Sequence, residues 1–201
     1  MRSIALALTL VACRAPVAAN EPTRRGGELR ALLVVHPLDR DGHAYILACV
    51  RRDHGAATRI DARTCAPLLR DVRLELVADG KRVPVTAGAI GVGYPCPDGE
   101  PHEPFVGVSG LPPDVDRGFV VTAGMIEVEP GDAILATIMA KHGPFPDKRP
   151  RSMQHPERVP VAATFDIDGD GVADVVTERL GGYALYDAAG DIISTIGCVY
   201  G

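Results

Sequence analysis

VRLELVA (Val72–Ala78), then Asp79-Gly80, then RVPVT (Arg82–Thr86) is the stretch that decides the fold class. Apolar and polar residues alternate along Val72–Ala78, which is the period of a strand with one face buried. Asp-Gly is a dipeptide that accepts the positive φ angles a two-residue hairpin turn demands. The run beyond the turn is again strand-like. An antiparallel hairpin here makes the protein mainly β.

Similar segments extend in both directions. Leu29–Val35 and Ala44–Val50 flank Asp39–Gly42 and read as a second hairpin. Phe105–Ser109, Phe119–Ala123, Met125–Val128 and Ala133–Ala140 read as further strands, with Glu129–Asp132 (EPGD) as a turn. Ala56–Arg70 has room for one short helix, which Pro67 limits. Short strands spaced by turns predict a β-sandwich or barrel-like body over residues 29–142. Residues 143–160 carry five prolines and many charges and read as a Pro-rich linker or surface loop. Beyond them, Val172–Glu178, Tyr183–Tyr186 and Ile192–Ile196 form a β-meander within residues 161–201.

Composition agrees. Among 201 residues, 22 are Gly and 17 Pro, with no Trp, while 46% are hydrophobic. A chain so apolar can bury a core, and its turn residues argue against a helical bundle. The formal charge of −5 excludes the basic footprint of a nucleic-acid binder.

The N-terminus reads as an address. Arg2 precedes an apolar run, Ile4–Ala12, too short to cross a bilayer core of about 30 Å. Leu10-Val11-Ala12-Cys13 resembles a bacterial lipobox. That resemblance implies cleavage after residue 12, a lipidated Cys13 as first mature residue, and a tether over residues 13–28. Cleavage after Ala19, at Val17-Ala18-Ala19, is the alternative and implies a secreted chain. Four cysteines remain after export: Cys49, Cys65, Cys96 and Cys198. An even number in an oxidising compartment predicts disulfides, and no CxxC pair argues for zinc or thioredoxin chemistry. The expected pairing is Cys49–Cys65 and Cys96–Cys198.

One segment carries chemistry: FDIDGDGVADVV, residues 165–176. Asp166, Asp168, Asp170 and Asp174 stand at positions 1, 3, 5 and 9 of a loop, with Gly169 and Gly171 to turn it. Carboxylates this close repel unless a hard cation lies among them. Oxygen ligands in this density suit Ca²⁺, with the Val172 carbonyl as a main-chain ligand. The motif DxDGDGxxD, followed by a β-branched run, resembles the calcium loop of FG-GAP or VCBS repeats, the blade units of integrin-like propellers. That resemblance implies that Asp166, Asp168, Asp170 and Asp174 are side-chain ligands and Val172 a main-chain one. An EF-hand would place a bidentate Glu at position 12, where Thr177 stands, and would enter the loop from a helix. The motif occurs once, so a propeller built from this chain alone is excluded.

Other candidates are weaker. His36, His43, His54, His102, His142 and His155 make no HExxH, and Gly107-Val-Ser109-Gly110 misses the hydrolase elbow by one residue. Gly88–Gly93 (GAIGVG) lacks the Lys and helix of a phosphate loop. Lys148–Arg151 is a basic spot whose weak alternative role is contact with anionic lipid. The sequence thus predicts an exported, lipid-anchored cell-envelope protein with a calcium site, serving as a binding or structural module. Its membrane partner is reached through the anchor, and no motif names a protein or glycan partner. The alternative is an extracytoplasmic hydrolase with a site among His36, His43, His102 and His142.

Overall fold

The structure is a computed structural model that describes residues 27–35, 42–93, 103–113, 115, 117–143, 145, 159–179 and 182–197. Its strands are β1 (Glu28–Val35), β2 (His43–Asp53), β3 (Ala56–Arg59), β4 (Leu74–Ala78), β5 (Lys81–Gly93), β6 (Glu103–Ser109) and β7 (Gly118–Thr122). After these come β8 (Val161–Phe165), β9 (Asp174–Arg179), β10 (Gly182–Tyr186) and β11 (Ile192–Gly197). Two helices interrupt them, α1 (Ala62–Cys65), continued by a 3₁₀ turn over Ala66–Asp71, and α2 (Asp132–His142).

The first sheet runs β1-β7-β4-β5-β6-β2-β3, and β1 also pairs with β2. Six antiparallel strands therefore close into a ring. Along one edge of β2, His43–Tyr45 pair with β6 and Val50–Asp53 with β3. The expected Asp79-Gly80 hairpin is present, with both residues at positive φ, 49° and 70°. That is the turn whose twist matches the strands it joins.

Alternation along the ring strands sorts two cores. Ala31, Leu33, Ile46, Leu76, Val106 and Val120 meet inside the barrel. Leu32, Val34, Leu47, Phe119 and Val121 face outward, onto Phe165, Val176, Tyr183, Leu185 and Ile196 of the second sheet. A register shift opposite Leu32/Leu33 inserts one residue into β2 at Leu47–Ala48. The bulge turns Cys49 back inward, where it is bonded to Cys65 of α1. Cys65, Ala66 and Leu69 join the barrel's interior cluster. The first expected disulfide is thus present. Cys96 and Cys198 lie outside the described residues, as do Cys13 and most of the Pro-rich segment 143–160.

The second sheet is an antiparallel meander, β11-β10-β9-β8. Its partner on the far face corrects the sequence reading. Ala133–Ala140 was expected as a strand and is helix α2. The run holds three Ala with Leu135 and Met139, strong helix formers, and begins with Asp132, an acid in the first turn. Ile134, Leu135, Ile138 and Met139 pack together on Val175, Ala184 and Tyr186, a spacing that only a helix presents on one side. Met125–Val128, also expected as a strand, is irregular. Residues Ala56–Arg59 form an edge strand that the sequence reading did not foresee. Gly88–Gly93 lies in the long strand β5, with a register shift between Ala87 and Ile90. The molecule is therefore layered as barrel, sheet and helix.

Candidate metal centre

The loop 166–173 joins β8 to β9 at one end of the seam between barrel and sheet. Phe165 and Ile167, both buried, hold its start in the shared core. Gly169 and Gly171 adopt φ of 78° and 86°, the left-handed region where side chains are strained. With those turns, oxygens of Asp166, Asp168 and Asp170 come within 4.8 Å of one another.

Each of the three carboxylates uses one oxygen on the loop's own backbone. Asp166 Oδ1 accepts from Gly169 N–H at 2.6 Å, Asp168 Oδ1 from Asp170 N–H at 3.1 Å, and Asp170 Oδ1 from Val172 N–H at 2.7 Å. With their oxygens this close, the cluster could hold a metal ion. An all-oxygen donor set fits a hard cation. Asp168 sits above the ordinary carboxylate range because burial, and then the charges of Asp170 and Asp166, disfavour its ionised form.

Asp174, another expected side-chain ligand, falls outside the group whose oxygens all lie within 4.8 Å of one another. Asp174 is buried at the start of β9, and its Oδ2 accepts from Ile167 N–H at 3.1 Å. Burial pushes its carboxyl up to about 7, against the opposing pull of that hydrogen bond. Val172, expected to ligate through its carbonyl, is 39% exposed.

Two residues that the sequence reading missed also meet the loop. Arg30 of β1 donates from Nη1 to the Asp166 carbonyl at 3.0 Å and lies 3.9 Å from Asp166 Oδ2. Arg52 of β2 approaches Gly169 so closely that a Cβ there would collide with its guanidinium. Both arginines come from the barrel, more than a hundred positions away in sequence, and no local signal announces them. They bring positive charge to an acidic loop, and Arg30 fastens it to the barrel.

The described histidines do not converge on a site. His43 stacks on Phe105 at 3.8 Å, His54 occupies the β2–β3 turn, and His142 Nε2 contacts the Gly190 carbonyl at 2.8 Å. His36, His102 and His155 lie outside the described residues. Compared with protein-family models, curated proteins and solved structures, the chain matches none. The likeness to FG-GAP and VCBS repeats thus rests on the loop motif alone.

Proposed function

We propose that this chain is an exported, lipid-anchored protein of the cell envelope, and that its 166–174 loop binds Ca²⁺ as a structural clamp for a binding or structural module. The observation that carries the reading is the convergence of the Asp166, Asp168 and Asp170 carboxylates at the seam between barrel and sheet. A divalent ion there offsets like charges that otherwise repel, and Ca²⁺ suits their oxygen ligands better than a softer metal. Asp174 and the Val172 carbonyl complete the set in this reading, with water filling the rest. Export is supported by Leu10–Cys13 and by the Cys49–Cys65 bridge, since such bonds persist in oxidising compartments.

Calcium modules outside the cell bind with dissociation constants of about 10⁻⁴–10⁻³ M. At a tenfold excess of ion, binding to the native state adds about 1.4 kcal/mol. For a chain of this size that raises the melting midpoint by about 3–5 °C. Thermal melts in calcium, magnesium and chelator test this, with Asp168→Ala/Asp170→Ala as the insensitive control. A wild-type midpoint that ignores both calcium and chelator overturns the metal reading. The intact mass of membrane-extracted protein tests the anchor, and an unmodified N-terminus at Asn20 overturns it. No observation among the described residues favours the hydrolase.

A further inference from the structure

At the other end of the seam, away from the acidic loop, barrel and sheet part to leave a crevice of about 320 Å³. Phe119 of β7 and Tyr183 of β10 line it as a T-shaped pair, 5.7 Å between centroids. The small side chains of Ala162 and Ala163 on β8 leave it open. Asp79, Glu127 and Glu178 are among its lining residues, together with Arg117.

Arg117 reaches across from the barrel to Glu178 of β9, with Nη1 3.2 Å from Oε1. Its side chain is 58% exposed and that of Glu178 34%. Solvent screens such a pair, so it holds the arginine weakly. Glu127, half exposed, is likewise only loosely tied to Arg82 at 3.3 Å. The chain thus places one of its own cations in a crevice whose lining includes three acidic residues and two aromatic ones. Carboxylates beside aromatic rings form the recognition set for an ammonium or guanidinium group. The volume lies at the small end of the range of ligand sites.

We propose that this crevice binds a small organic cation, an amine or guanidine about the size of an arginine side chain, which displaces Arg117 from Glu178. The site does not depend on the loop at Asp166–Asp170, so it stands or falls separately from the calcium reading.

Calorimetric titration of the full chain in chelator tests it, with agmatine and putrescine as probes and 1,4-butanediol as the neutral control. Agmatine binds in the millimolar range and butanediol does not. Glu178→Gln and, independently, Glu127→Gln each weaken agmatine binding about tenfold or more, whereas Arg117→Gln tightens it several-fold. Asp168→Ala leaves it unchanged. Circular dichroism confirms that each variant is folded, and either glutamate variant suffices if the other fails. Absence of agmatine binding, equal binding of butanediol, or unchanged affinity in a folded glutamate variant overturns the site. Weaker binding by Arg117→Gln overturns the displacement.

Discussion

Asp174 holds a carboxyl group where water hardly reaches it, with one backbone N–H as its hydrogen-bond partner. Its group titrates near 7 in the fold and near 3.8 in the open chain. Between those values the folded state keeps a proton that the unfolded state releases. The contribution of Asp174 to the stability of the metal-free protein therefore falls as pH rises from about 4 to 7, the sign set by the extra proton on the native side. Asp174→Asn retains an acceptor for Ile167 and removes the buried charge. Urea unfolding in chelator at pH 5 and pH 8 is expected to show a flatter pH dependence in this variant, and a midpoint above wild type at pH 8. A slope equal to that of wild type would show that Asp174 does not carry the effect. With calcium present the gain is expected to shrink, because asparagine supplies no charge to the ion.

Among the elements, α2 shows how packing and charge cooperate. Ile138, fully buried, is the centre of the cluster that joins the helix to β9 and β10. At the helix's C-terminal end, Lys141 Nζ donates to Asp191 Oδ1 and to the Ala189 carbonyl, a latch onto the β10–β11 turn. The latch is exposed and contributes little, whereas the apolar face contributes most. Ile138→Ala is thus expected to cost about 2–5 kcal/mol. Denaturant melts with Lys141→Ala alongside separate the two effects, and the lysine variant should stay within about 1 kcal/mol of wild type. The reverse order would mean that the latch, not the core, holds the helix.

Among the described residues, one seam joins barrel and second sheet, and the Cys49–Cys65 bond ties β2 to α1. The Cys49–Cys65 link encloses a segment with a sequence separation of 16, worth about 3 kcal/mol in the chain-entropy model. Reduction, or the Cys49→Ala/Cys65→Ala pair, should lower the urea midpoint accordingly while leaving the calcium response intact. Loss of the calcium response together with the bond would mean that the loop depends on the disulfide-bonded barrel for its shape. The bridge itself relies on the β2 bulge, since unbroken alternation from Ile46 would turn Cys49 toward the second sheet.

Local rules decide much of this protein. Alternation and Asp79-Gly80 determine the β4–β5 hairpin, the acid–glycine rhythm of residues 166–174 determines the loop, and the same patterns delineate the meander that follows it. These are properties of neighbours in the chain, so the sequence alone carries them. Closure of the barrel through β1 and β2, the helical state of residues 132–142 and the approach of Arg30 and Arg52 to the acidic loop are decided only by tertiary structure. An apolar run such as AILATIMA is compatible with strand or helix until a buried face selects one period. A guanidinium finds a carbonyl more than a hundred residues away only when the intervening chain has folded.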